Sequence, residues 1–210
     1  MLWALAQPAA MAGLVAAFVI GVGLRSVAQW SAARWLGLAT APRRDATRRG
    51  PVRLDPLGVM AACLSGTGWG RPAASPASRR ERWAVLAGPA AVLLASQAAF
   101  AAYHSAYPGL SLPLRLNRPS DVLHGAIAPT SAAQLILSVA VGLLSFGLVA
   151  LLPVPPFDGY RLFAAPGRRV AAERLVVVAV FVLTVVPVAG RPPVLIALDA
   201  VAGPLVRFWA

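Results

Sequence analysis

Asp158 is the residue whose surroundings in the sequence best suit chemistry. It lies in "LLPVPPFDGYRLF", residues 151–163, where a long apolar segment gives way to an arginine-rich one. Each proline fixes its own φ and lacks an N–H, so Pro153, Pro155 and Pro156 end the helix and extend the chain. The pattern therefore predicts a carboxylate at the mouth of an apolar helix. The simpler alternative is that Asp158 only caps the turn after the prolines.

Two polar side chains, Arg25 and Gln29, interrupt the first apolar segment one helical turn apart. They belong to a row spaced four residues apart whose other members are small: Ala9, Gly13, Ala17, Gly21, Ala33 and Gly37. Such rows let membrane helices approach closely. Ionisable residues inside membrane segments usually face other helices and are paired. We therefore expect Arg25 to face a neighbouring helix; the alternative is that it extends to the membrane surface.

The composition is that of an integral membrane protein. Of the 210 residues, 59% are hydrophobic, against about 45–50% in soluble domains. About 20 apolar residues span a bilayer, which predicts an all-α polytopic membrane protein with four to five transmembrane helices in one domain, 1–210. The predicted helices are about 1–38, 83–103, 130–152, 174–189 and 193–209, the last either spanning or lying at the interface. The first has no basic n-region and is predicted to be retained.

The net charge of +12 comes from arginine alone, since the chain has no lysine. No basic helix or aromatic–basic motif indicates nucleic acid as a partner. The arginines concentrate in loop 39–82 and after residue 152, and arginine-rich loops stay cytoplasmic. This pattern places the N-terminus outside and loop 39–82 inside, with Asp158 on the same side as the end of the first helix. The lone Cys63 excludes an internal disulfide and a multi-cysteine metal site.

Loop 39–82 is not uniformly polar. "PVRLDPLG", residues 51–58, predicts a short strand and turn, and "VMAACLSGTGWG", residues 59–70, is apolar but too short to span. Irregular backbone at membrane depth must be buried in protein. We therefore expect a short re-entrant or β-hairpin-like segment here.

The proline–aspartate stretch resembles the "NLLPxxPLDG" motif of the site-2 proteases, zinc metalloproteases that cut within the membrane. Three more segments resemble that family in the same order: "RLDPLG" at 53–58, "GWGRP" at 68–72 and "LAGPAAVLLA" at 86–95. The resemblance covers about residues 22–163 and implies that Asp158 stands where the family has its third zinc ligand. The matching motif positions are Pro153, Pro155, Pro156, Gly159, Asp55, Pro56, Gly58, Gly88 and Pro89.

The HExxH motif that supplies the family's other two ligands is missing. Alignment on "WSAARWLGL" puts Arg25, Ser26 and Gln29 at its His, Glu and His positions, and no residue before 104 is histidine. A catalytic zinc needs about three protein ligands, and guanidinium is not a ligand. We therefore expect no catalytic residue, no metal site and no cofactor, but a vestigial site in which Arg25 lies within about 4 Å of Asp158.

The resemblance implies a catalytically inactive pseudoprotease of a bacterial plasma membrane that binds or scaffolds a transmembrane protein. The alternatives are an active intramembrane zinc metalloprotease with an atypical site, an accessory subunit of a membrane complex or a small transporter component, and a helical bundle whose motif matches are chance. Besides the lipid bilayer, a membrane protein is the predicted partner. Neither nucleic acid nor a small-molecule substrate is indicated.

Overall fold

The computed structural model describes residues 7–38, 54–70, 78–110, 112–125, 127–163, 173–188 and 190–209. Within those ranges the chain forms helices connected by turns, with no strand. The helices are α1 Pro8–Trp35, α2 Pro56–Ser65, α3 Arg79–Ala106, α4 Leu112–Leu116, α5 Pro119–His124, α6 Ser131–Ala150, α7 Asp158–Phe163, α8 Glu173–Val185 and α9 Pro193–Arg207. The all-α prediction is therefore confirmed for the described residues.

Three long helices, α1, α3 and α6, pack against one another and form the centre of the molecule. Each is long and apolar enough to cross a membrane. Their outer surfaces carry large apolar side chains such as Val19, 64% exposed, and Leu94, 70% exposed. Such surfaces suit contact with lipid, because soluble proteins rarely expose extended apolar patches.

The row of small residues on α1 lets that helix approach α6 closely. Gly13, Ala17 and Gly21 are all buried, and a Cβ placed on Gly13 would lie 2.7 Å from the Leu135 carbonyl oxygen. On α6, a Cβ placed on Gly142 would lie 2.6 Å from the Cβ of Ala17. The packing role predicted for the row is therefore confirmed for Gly13, Ala17 and Gly21, whereas Gly37 lies beyond the end of α1 and is exposed.

The last two helices are shorter than the spans predicted for them. α8 has 13 residues and α9 has 15, which makes them about 20 and 23 Å long. The hydrocarbon core of a bilayer is about 30 Å thick. Of the four to five predicted spans, three are thus present as helices of spanning length among the described residues.

The apolar part of the predicted loop 39–82 forms a helix and a return segment. The helix α2 begins at Pro56, where the sequence predicts the turn that follows a short strand. Asp55 caps α2 by accepting a hydrogen bond from the Leu57 N–H at 2.9 Å, and Pro56 takes the first helical position. This pair of residues favours a helix start. The chain turns at Gly66 and pairs back with one antiparallel bridge, between Leu54 and Gly70. Residues 39–53 and 71–77, with the end of the "GWGRP" match, lie outside the described residues.

The α2 segment reaches through the bundle. Gly66 approaches Leu14 of α1 and Leu123 of α5, the helix that lies between α3 and α6 in the chain. After Gly66 the chain returns to Trp69, whose ring meets Phe157 just before α7. The α2 segment therefore begins near α7, reaches the opposite end of the bundle at Gly66 and returns toward α7 at Trp69.

Polar contacts attach α9 to α5. The Ser120 N–H and Oγ donate to the two carboxylate oxygens of Asp199 at 2.8 and 2.6 Å. Arg191, just before α9, forms an ion pair with Asp121 at 2.9 Å and lies 3.5 Å from Asp199. Burial lowers the pKa of the neighbouring His124 below its ordinary value, although the Asp121 charge acts in the opposite direction.

The lowered pKa of His124 predicts a loss of stability in acid. The folded protein binds this proton less readily than the unfolded chain, so the stability contribution is complete above the ordinary pKa of about 6.5 and falls as the pH drops through it. Melting temperatures in detergent should therefore fall below about pH 6.5, and less steeply for His124→Gln. His104→Gln, at an exposed histidine, should keep the wild-type profile. Identical profiles for wild type and His124→Gln would contradict the prediction.

A methyl group at Gly58 should disrupt the α2 segment. A Cβ there would collide with the Trp69 backbone carbonyl, which cannot rotate away. We expect Gly58→Ala to lower the free energy of unfolding by about 1–3 kcal/mol, as for other overpacked sites. The matched control is Gly23→Ala, because nothing lies within 4 Å of a Cβ at Gly23 and alanine favours helix by up to about 1 kcal/mol. Denaturant unfolding in micelles measures both; equal effects would refute the close approach.

Candidate functional site

The prolines after α6 end that helix as the sequence predicts, but the prediction of an extended segment is wrong, because the chain forms turns. α6 ends at Ala150, the segment with Pro153, Pro155 and Pro156 forms turns, and α7 begins at Asp158. Gly159 is required where it stands, because a Cβ there would collide with the Leu151 carbonyl group. The carboxylate is thereby held close to the end of α6, where its 0% exposure keeps it from water.

Arg25 and Asp158 form a buried bidentate ion pair. The Arg25 Nε donates to Asp158 Oδ2 at 2.6 Å, and Nη2 donates to Oδ1 at 2.5 Å. Only 4% of Arg25 is exposed. Two parallel hydrogen bonds between guanidinium and carboxylate give this pair both strength and a fixed orientation. The predicted contact is confirmed, and Arg25 does not extend to the membrane surface.

Gln29 joins the pair to α3. Its Nε2 donates to Asp158 Oδ2 and to the Val85 carbonyl oxygen, both at 3.0 Å. Pro89, four residues after Val85 in α3, has no N–H to donate to that carbonyl. The Gln29 amide therefore satisfies a backbone acceptor that the proline leaves open, as a buried carbonyl requires. Sequence reasoning missed Val85, although the position of Pro89 inside a helix indicates it.

Gly88 lets α3 approach α1 closely. A Cβ on Gly88 would lie 2.7 Å from Gln29 Nε2 and 2.9 Å from Arg25 Cγ. The glycine and proline of "LAGPAA" therefore act together. Gly88 leaves room for the polar side chains of α1, and Pro89 leaves the Val85 carbonyl oxygen available as an acceptor. Ser26 does not join them, because its hydroxyl donates to the Val22 carbonyl of its own helix at 2.7 Å.

Two aromatic rings cover the ion pair. Trp69 and Phe157 are 3% and 2% exposed and meet edge to face with ring centroids 5.5 Å apart. The cavity that they line beside Arg25 and Asp158 has a volume of about 10 Å³, which holds at most about one water molecule. Neither ring was predicted as part of the site. Asp55, Pro56 and Gly58 shape the segment that brings Trp69 here but do not reach the pair.

The chemistry open to this site is narrow. Arg25 stays protonated at any ordinary pH and cannot act as an acid or base. Both oxygens of Asp158 already accept hydrogen bonds. Among the described residues, no three His, Cys, Asp or Glu side chains lie together in a way that could hold a metal ion. A catalytic zinc does not fit this donor set, since the guanidinium takes up the carboxylate that would bind it.

No family model, curated protein or solved structure matches this chain. The resemblance to the site-2 proteases therefore depends on the four sequence motifs.

Breaking the pair should destabilise the protein more than removing it. Arg25→Met or Asp158→Leu leaves one buried charge and should cost about 3–5 kcal/mol of unfolding free energy, whereas the two substitutions together should recover most of that loss. The measurement is a double-mutant cycle in detergent micelles. Arg34→Met, an exposed arginine stacked on Trp30, should cost at most about 1 kcal/mol. Additive single effects would contradict a direct pair.

Proposed function

We propose that this chain is a site-2-protease-like integral membrane protein that does not cleave peptides and instead binds or scaffolds a transmembrane protein. The observation that carries the proposal is the bidentate pair of Arg25 with Asp158, the residue that the motifs place at the third zinc ligand. Gln29, at the second histidine position of the missing HExxH motif, contacts the same carboxylate. Arg25 and Gln29, at two of the three zinc-ligand positions of the family, thus both contact Asp158 at the third.

The pair explains why a fold can keep Asp158 after losing the metal. A buried carboxylate without a partner is very costly, so removal of zinc demands a new positive charge beside it. Arg25 supplies this charge, and Gln29 adds a hydrogen bond at 3.0 Å. In this proposal the former metal site has become a structural link between α1, α3 and α7.

The proposed placement is a bacterial plasma membrane with the N-terminus outside and loop 39–82 cytoplasmic. It is supported by the arginine-rich loops and by three helices of spanning length. The pair then lies toward the cytoplasmic side, and the α2 segment re-enters from that side to meet Leu123. A fourth span at 174–189 stays a proposal, because α8 alone is about 20 Å long.

The binding role is supported by the sealed site and the apolar exterior. A protease must open its site to a substrate backbone and to water, whereas Trp69 and Phe157 close this one. The exposed side chains Val15, Val19 and Val27 of α1 offer a surface for another membrane helix. An active metalloprotease would require Arg25 to leave Asp158 and ligands to come from elsewhere. Nothing in the site favours that arrangement.

Restoring the motif should create a zinc site. We expect Arg25→His with Ser26→Glu and Gln29→His to bind about one zinc per chain, because a catalytic site needs about three protein ligands and Asp158 remains as the third. Elemental analysis of the purified protein measures this. Adding Asp158→Asn to the triple variant should abolish the zinc and serves as the control.

The wild-type protein should contain no stoichiometric zinc that a chelator removes. Such zinc would overturn the inactive assignment and favour the metalloprotease alternative. A triple variant that folds but binds no zinc would instead count against the resemblance, since the retained carboxylate would then not be positioned for a metal. Folding is checked by the melting temperature of each variant.

A further inference from the structure

A cavity of about 330 Å³ lies between α9 and the segment that contains α4 and α5. Its volume is at the lower end of the range for ligand sites, about 300–1,000 Å³. This cavity is separate from the ion pair, since the α4–α5 segment adjoins the start of α6 and Asp158 follows the end of α6.

Positive charge dominates the cavity wall. Arg115 and Arg118 line it from the α4–α5 segment and Arg207 lines it from the end of α9, and all three are exposed. The carboxylate of Asp199, which also lines the wall, accepts two hydrogen bonds from Ser120 and lies 3.5 Å from Arg191. The Asp199 carboxylate is thus already partnered by Ser120 and Arg191. The three arginines leave the cavity with more positive than negative charge, which suits an anion.

The border of the cavity is apolar. Leu116 and Ile196 line it and are 73% and 50% exposed. A small inorganic anion gains nothing from such a surface, whereas a ligand with hydrocarbon chains buries it.

The position of the cavity agrees with a lipid. The α4–α5 segment connects α3 and α6, which are both of spanning length. Residues between the ends of two consecutive spans lie near the head groups of the bilayer. In the proposed topology this is the outer side of the membrane, opposite loop 39–82. A basic pocket there, next to apolar helix surface, suits the phosphate of an anionic lipid head group in the outer leaflet.

We propose that this cavity binds the phosphodiester head group of an anionic glycerophospholipid, with its acyl chains against Leu116 and Ile196. Guanidinium groups match phosphate oxygens with paired hydrogen bonds, which makes arginine well suited to the task. The proposal is independent of the protease resemblance, because none of the residues that carry it belongs to the motifs.

The test is native mass spectrometry of the full chain in a neutral detergent. Phosphatidylglycerol and phosphatidylcholine with the same acyl chains are added in turn, and the fraction of protein that retains one lipid is measured. We expect phosphatidylglycerol to be retained about tenfold more tightly or better, given the contribution of each arginine near an anionic surface. Equal retention of the two lipids would overturn the proposal.

Charge removal distinguishes this cavity from general attraction to a basic protein. Arg115→Gln, Arg118→Gln and Arg207→Gln together should abolish the preference for phosphatidylglycerol. Removing the same charge from three exposed arginines elsewhere, with Arg34→Gln, Arg79→Gln and Arg80→Gln, should preserve it. An equal loss in both variants would refute a site at this cavity.

A second variant fills the cavity and keeps every charge. Gly203 lines the cavity and has nothing within 4 Å of a Cβ, so Gly203→Leu should fold and should lower phosphatidylglycerol retention about tenfold. Gly23→Leu on α1, also free of neighbours at the Cβ, is the matched control. Unchanged retention in Gly203→Leu would overturn the proposal. The proposal would also be overturned if inorganic phosphate raised the melting temperature of the protein as much as the lipid does, because the ligand would then be a free anion.

Discussion

The cost of burying charge in apolar surroundings governs this molecule. An isolated carboxylate or guanidinium at the position of Asp158 or Arg25 would destabilise the fold by several kcal/mol, whereas a well-oriented pair with its remaining hydrogen bonds satisfied is far less costly. The pair therefore links α1 to the first residue of α7. The pair requires glycine at positions 88 and 159, since both Gly88 and Gly159 allow backbone to come close enough for the two side chains to meet.

The same constraint explains a feature that appears unrelated in the sequence. Pro89 removes a backbone donor inside a membrane-length helix, and such a loss must be compensated nearby. Gln29 compensates for it at the Val85 carbonyl while also bonding the carboxylate of Asp158. One amide thus satisfies a helix defect and a buried charge together, and it connects three elements that are distant in the chain.

The polar groups at the two ends of the bundle have different surroundings. Near α7 the ion pair is enclosed by Trp69 and Phe157, which suits a structural role. Near α5 the arginines are open around a cavity of 330 Å³, which suits a ligand from outside. The α2 segment runs between these ends. Its helix start at Asp55, its turn at Gly66 and the close approach of Gly58 to Trp69 determine where Trp69 lies. The enclosed ion pair and the exposed arginines around the cavity both agree with the proposed binding role.

The sequence by itself determined the helical class, the long apolar segments, the end of α6 at the prolines and the pairing of Arg25 with Asp158. Proline ends a helix, and ionisable residues in membrane segments are usually paired. The choice of Asp158 as the partner of Arg25 came from the resemblance to the site-2 proteases. Only the tertiary structure decided that a helix begins after Asp55, how long α8 and α9 are, and where Val85, Trp69 and Phe157 lie. These features depend on contacts between residues far apart in the chain, because packing and the satisfaction of buried polar groups act in space and leave little trace in local pattern.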